Sequence, residues 1–185
     1  MSASMPASTS ASVPGNDTPT TFRPAKSADA EAVAAMWRSG WRDGHLGHVP
    51  DELVAVRTPE SFASRARERV ADTTVAVREG AVVGFVMVVA DEVEQVYVGA
   101  AHRGTGVAGA LLARAEGLVR EHGHERAWLA VATGNARARR CYARNGWCDE
   151  GAFDYLAAGP DGPVLVPCHR YAKQLAAPCS APARP

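Results

Sequence analysis

The sequence is short of the features that mark several large classes of protein. Cysteine occurs four times, at Cys141, Cys148, Cys168 and Cys179, and never with C-x-x-C spacing. A thiolate zinc site is therefore excluded, and with no signal-peptide pattern ahead of them the four read as free thiols of a cytoplasmic protein. No apolar run approaches the roughly 18 residues of a membrane span. Neither sign of charge is in excess, since Lys and Arg total 20 and so do Asp and Glu. With no basic cluster either, nucleic acid and anionic membranes are excluded as expected partners. Large apolar residues are nearly missing from Met1 to Thr20, a Ser, Ala, Pro and Thr segment that cannot offset its ordering entropy. It reads as a disordered tail, as does 176–185.

What remains, residues 21–175, is the size of one domain with a full core. The β-branched stretches Thr73 to Arg78 and Val82 to Ala90, with a turn at Glu79-Gly80 between them, and the alternating Val93 to Val98 close behind predict an antiparallel meander. Phe22 to Pro24 reads as an earlier short strand, and Asp29 as the N-cap of a helix through Val33, Met36 and Trp37. Trp41 to Glu52 reads as a glycine-punctuated loop holding Trp41, His45 and His48, followed by a helix around Ser61 to Val70. After Val98 the period becomes about 3.6, with Val107, Leu111, Ala115 and Leu118 on one helix face. That helix is a crossover long enough to make Arg126 to Val131 parallel to the Val93 strand. A helix from Asn135 to Asn145 stopped by Gly146, then strands near Trp147 to Phe153 and Val164 to Tyr171, complete the pattern. The expected fold is α/β of the α+β kind: a mixed, mostly antiparallel sheet of six or seven strands flanked by about four helices.

Between the Val93 strand and its helix run His102, Arg103, Gly104, Thr105, Gly106, Val107, Ala108 and Gly109. The glycines leave the backbone reachable, and the helix N-terminus supplies unpaired N–H groups and positive dipole potential. This is a site for a phosphate or pyrophosphate. Gly104, Gly106 and Gly109 also spell G-x-G-x-x-G, but that fingerprint needs an acid after the next strand, about 20 residues on, to hold a ribose. Ala132, Thr133 and Gly134 stand there instead, so a nicotinamide dinucleotide fits poorly.

The same stretch gives Arg103-x-x-Gly106-x-Ala108, and Asn135, Ala138, Tyr142, Gly146 and Trp147 follow with the spacing N-x-x-A-x-x-x-Y-x-x-x-G-aromatic. With both motifs in this order, the chain resembles the GNAT superfamily of acyl-CoA-dependent N-acetyltransferases over roughly Thr21 to Leu175. Ala100 departs from the family's frequent proline, Cys141 from the aromatic that commonly precedes the tyrosine, and Trp147 from the commoner phenylalanine. The resemblance implies a GNAT-type sheet, acetyl-CoA as co-substrate and no metal. It implies transfer of the acetyl group to a primary amine of a small molecule or peptide, by direct attack through a tetrahedral intermediate. Members commonly pair through sheet edges or C-terminal strands, so it also implies a homodimer.

Carried onto this sequence, the resemblance puts the pyrophosphate on the backbone of Arg103, Gly104, Thr105, Gly106, Val107, Ala108 and Gly109. The pantetheine would run along Val96 and Val98, where neighbouring strands splay, with a backbone N–H near Val98 on the thioester oxygen. The Arg103 side chain either meets a phosphate or is solvated. Asn135 and Tyr142, seven residues apart, share a helix face about 10 Å in length and can touch one elongated ligand. The resemblance makes Asn135 a pantetheine contact and Tyr142 the acid that protonates the departing thiolate, a workable match between pKa values near 10 and about 8.5. Taken alone, they read as a helix cap and a half-buried aromatic.

Glu94, four residues before Val98, shares a strand face with Val96 and Val98 if no bulge intervenes, and is the candidate base. Glu92 nearby and ordered water are the alternatives. The Trp41 loop corresponds to the family's acceptor side: it either selects the amine, or supplies a core indole and two surface histidines. Asp43, Asp51 and Glu52 point to a cationic acceptor such as a polyamine or amino-sugar, with a protein amine still open. A catalytically silent acyl-CoA sensor is the second reading, and a nicotinamide-binding protein the third.

Overall fold

Residues 19–159 and 162–175 are described by a computed structural model. The two expected tails lie outside the described residues, apart from Pro19 and Thr20. Seven strands form one sheet in the order β1-β2-β3-β4-β5-β7-β6: β1 (Thr21–Pro24), β2 (Thr73–Arg78), β3 (Ala81–Val89), β4 (Glu92–Val98), β5 (Arg126–Ala132), β6 (Cys148–Gly159) and β7 (Gly162–Gln174). Every neighbouring pair is antiparallel except β4 and β5. The Glu79-Gly80 turn has φ of 51° and 78°, the left-handed pair that a tight hairpin turn requires.

Two helical layers cover the sheet. On one face α4 (Val107–Glu121) and α5 (Ala136–Arg144) bury Val107, Leu111, Leu112, Ala115 and Val119 against Val86, Val93 and Leu129. Each fully buried leucine contributes about 2 kcal/mol of transfer free energy. On the other face lie α1 (Ala30–His45), α2 (Asp51–Val56) and α3 (Pro59–Glu68). There Trp37 meets Phe62 and Phe85 edge-on at ring separations of 5.7 and 6.0 Å.

The expected loop from Trp41 to Glu52 is mostly helix: α1 runs on through Trp41 to His45, and α2 takes in Asp51 and Glu52. Gly40, just before it, and Gly44 serve close approach, while Gly47, at φ 78°, turns the chain. A Cβ on Gly40 would stand 2.3 Å from the Tyr97 ring, and one on Gly44 2.6 Å from Asn135 Nδ2. The packing gained against β4 offsets the low helix propensity of glycine. Asp29 is the N-cap residue of α1, as expected, but its side chain makes no cap hydrogen bond to that helix. Its carboxylate accepts from the Lys26 N–H at 2.7 Å and from Arg23 at 2.6 and 2.8 Å. The Arg23 hydrogen bonds, with the backbone one, hold its carboxyl down at about 2.

Gly146, at φ 80°, ends α5 as expected, with Trp147 N–H donating to the Tyr142 carbonyl at 3.1 Å. Trp147 is buried, and its Nε1 donates to Glu116 at 3.2 Å, while Lys173 Nζ donates to the same carboxylate at 2.7 Å. An indole here thus has a partner in the core that a phenylalanine could not use. β6 and β7 are longer than expected, and their hairpin extends past the end of β5, where Ala132 opposes Cys168. Arg57, just after α2, ties this arm down by donating to the Ala158 carbonyl at 2.7 Å.

Candidate active site

β4 and β5 are paired at one register position only, Glu92 with Trp128. Past it the two strands splay around a cavity of about 790 Å³. Val96 to Val98 of β4, Ala130 to Ala132 of β5, the glycine loop and one face of α5 line one side of it. Gly99 N–H donates to the Val83 carbonyl at 2.9 Å, and the β3–β4 register pairs Gly84 with Val98. In an antiparallel ladder hydrogen-bonded and non-hydrogen-bonded pairs alternate, so the N–H and C=O of Val96 and Val98 turn away from β3 toward the open side.

The loop enters α4 through Gly106, the N-cap, at φ 84°, after Gly104 at φ 79°. Both conformations suit glycine alone. Among the described residues, no N–H from Gly104 to Gly109 donates to a backbone or side-chain acceptor. These orphan donors and the helix dipole form a preset anion cradle. Arg103 lines the cavity and is partly exposed, and its Nη2 donates to Asp43 Oδ2 at 2.7 Å. Gly104, Gly106, Ala108 and Gly109 line the cavity, but Thr105 and Val107 do not. Thr105 donates to the His102 carbonyl at 2.7 Å and accepts from Arg78 at 3.3 Å, while the Val107 side chain is in the core. Gly109 serves helix packing, since a Cβ there would stand 2.8 Å from Asn145 Oδ1.

Asn135 is the N-cap of α5, its Oδ1 accepting from the Ala138 N–H at 3.1 Å, and it also lines the cavity. Tyr142 lies on the same helix face, packed on Tyr171 at 5.7 Å between rings, with its phenol pushed up by burial. It stays protonated at any ordinary pH.

Glu94 lines the cavity, but a bulge does intervene: Met87 opposes Gln95 while Val88 opposes Val93, leaving Glu94 unpaired. Val93, Val96 and Val98 pack with α4, so the expectation that Glu94 shares their face is corrected by the one-residue insertion. Its carboxylate instead meets Arg69 at 2.6 Å, beyond the end of α3. Glu92 was the alternative to Glu94 as the base. It accepts from the Tyr155 hydroxyl at 3.1 Å, and burial, opposed by that bond and helped by Glu94 and Asp91, raises its carboxyl to about 7. The bulge that separates the two glutamates depends on β3 and has no signature in β4 itself.

At the other end of the cavity, Trp41 is 6 % exposed and stacks on His45 at 4.9 Å. His45 Nδ1 lies 2.9 Å from the Trp41 carbonyl, and burial lowers its pKa to about 4, so it is neutral at physiological pH. His48 does not line the cavity; it is exposed, with its ring against Gly134. Of the three acids that pointed to a cationic acceptor, Asp43 is held by Arg103, and Asp51 and Glu52 are exposed residues outside the cavity lining.

This combination of splayed strands, glycine loop and capped helix defines an acetyltransferase of the GNAT class. Residues 33–147 match the acetyltransferase (GNAT) family, and the chain belongs to it. No curated protein matches it in sequence. Among solved structures it is similar to a GCN5-related N-acetyltransferase from Rhodopseudomonas palustris, at 21 % identity and a TM-score of 0.65 over 84 % of this chain and 95 % of that one. The acetyl-CoA complex of yncA, a putative acetyltransferase from Salmonella typhimurium, gives 22 % and 0.62 over 89 % and 100 %. The coenzyme A complex of PaiA N-acetyltransferase from Thermoplasma acidophilum gives 16 % and 0.60 over 84 % and 99 %. Among the described residues no helix is long and apolar enough to cross a membrane, and no group of three or more His, Cys, Asp and Glu could hold a metal. Cys141, Cys148 and Cys168 are free thiols; Cys179 lies outside the described residues.

Proposed function

We propose that the chain transfers an acetyl group from acetyl-CoA directly to the primary amine of a small molecule or peptide. The observation that carries the reading is the run of orphan N–H donors from Gly104 to Gly109, opening onto a cleft between unpaired strands. The cradle is suited to the pyrophosphate, and the outward-facing groups of Val96 and Val98 to the amides of the pantetheine arm. Asn135, with its Nδ2 still able to donate, stands beside that arm.

Attack joins the amine nitrogen to the thioester carbon and, when the tetrahedral species collapses, breaks the C–S bond. The Val98 N–H stabilises the oxyanion. Tyr142 gives its proton to the leaving thiolate. For the base, the partners of the two carboxylates favour Glu92 over Glu94. A carboxylate near 7 that accepts a single hydrogen bond can take a proton at neutral pH, whereas Glu94 is bound to Arg69 at 2.6 Å. Glu94 keeps Arg69 in place beside the site.

An amine library incubated with acetyl-CoA, with free thiol followed, tests this reading. Thiol release that depends on an amine supports it. Coenzyme A binding with no acceptor found would transfer the assignment to an acyl-CoA sensor.

A further inference from the structure

The acceptor end of the cavity holds two guanidinium groups, those of Arg57 and Arg65, among Trp37, Trp41, Leu53 and Tyr155. Among the described residues neither arginine forms an ion pair. Arg57 gives one N–H to the Ala158 carbonyl, and its Nε is buried with no partner at all. Arg65 lies with Cζ 4.4 Å from the centre of the Trp37 ring. Burial lowers both, Arg57 to about 10, and the charge of Arg65 adds to the shift on Arg57.

The carboxylates within reach are already committed. Glu94 is bound to Arg69, which also holds Asp72 at 2.6 Å. Glu92 is desolvated and bonded by Tyr155, and Glu68, exposed at the rim, accepts from Ser64 at 2.9 Å. The far end of the cavity therefore keeps two like charges partly, and one unpaired donor fully, out of water, which costs free energy until an anion arrives. A planar guanidinium with a free Nε is suited to a carboxylate, which it can grip with two hydrogen bonds. The walls beside it, Trp41 and Leu53, are apolar.

We propose that the acceptor is a primary amine that also carries a carboxylate, as a free amino acid does, with Arg57 and Arg65 receiving the carboxylate while the amine faces Glu92. This deepens the acetyltransferase reading and rests on it. An apolar side chain would lie along Trp41 and Leu53, and a polyamine would meet two cations.

The test uses matched trios that share one side chain: leucine, leucinamide and 3-methylbutylamine, with the corresponding methionine and phenylalanine sets. With acetyl-CoA, kcat/KM for the amino acid exceeds that for the amide by roughly tenfold to a hundredfold, the range expected for charge-assisted hydrogen bonds, and the difference lies in KM. Arg57→Gln and Arg65→Gln each narrow that ratio, and Arg57→Lys restores part of it. A second readout needs no turnover: N-acetylleucine raises the Tm of the coenzyme A-loaded protein more than N-acetylleucinamide does, and Arg57→Gln removes the difference. Coenzyme A binding by the variants reports that they are folded. Turnover of amides or simple amines as good as that of amino acids, with equal Tm shifts, overturns the carboxylate assignment and leaves acetyl transfer standing. Selective binding of N-acetylleucine without turnover of any amine supports the carboxylate site and sinks acetyl transfer. Neither turnover nor selective binding overturns both.

Discussion

The Tyr155 hydroxyl donates to Glu92 Oε1 at 3.1 Å, so the carboxylate at the start of β4 is held by the hairpin arm that closes the acceptor end. Burial keeps that carboxyl near 7. As the base it works only when ionised, so kcat/KM expressed per neutral amine rises with pH through about 7 and then levels off. Glu92→Gln removes this limb and lowers kcat/KM by roughly 10²-fold or more. The same residue affects stability with the opposite sense. Its folded pKa lies above the unfolded value, so its contribution is most favourable below about 4.3 and is lost as pH rises to about 7. Glu92→Gln is therefore more stable than wild type above pH 7, by on the order of 1 kcal/mol after allowance for partial solvation. Denaturant melts at pH 5 and pH 8 check this; a variant both active and less stable at pH 8 refutes the assignment.

Tyr142→Phe keeps the ring on Tyr171 and removes only the proton to be donated. The expected result is a fall in kcat of roughly 10²-fold to 10⁴-fold with little change in coenzyme A affinity. Steady-state rates with a good acceptor, set beside calorimetric binding, measure both. An unchanged kcat would remove the acid role.

Gly40→Ala places a Cβ where Tyr97 Cδ1 stands 2.3 Å away, and both residues line the cavity. The Tyr97 ring is itself packed on Phe85 at 5.6 Å, so it cannot yield freely. A loss of about 1–3 kcal/mol is expected in urea unfolding, as for other overpacked sites. A neutral result would mean that α1 slides easily over β4.

Much of the fold was legible because local pattern and tertiary role agree. The meander, the glycine loop, α4 and the Gly146 stop each carry their own period or turn residue. The parts that were not legible are set by distant partners. Gly44 looks like a loop residue until Asn135 is seen against it. The orientation of Glu94 is decided by a bulge opposite Met87 and Val88. Arg103 suits a phosphate by chemistry but is taken by Asp43, 60 positions away in the sequence. In the same way Arg57 and Arg65 carry no motif, and only the cavity brings them together.

The account rests on the backbone of Gly104 to Gly109 binding the pyrophosphate, and amide chemical shifts report on those groups directly. Titration of ¹⁵N-labelled protein with coenzyme A should move the amides of Gly104, Gly106 and Ala108 strongly, while pantetheine, which lacks the pyrophosphate, should leave them in place and move only those near Val96 and Val98. Saturation with coenzyme A that leaves the Gly104 to Gly109 amides unmoved, or the same displacement of them by pantetheine, would contradict it.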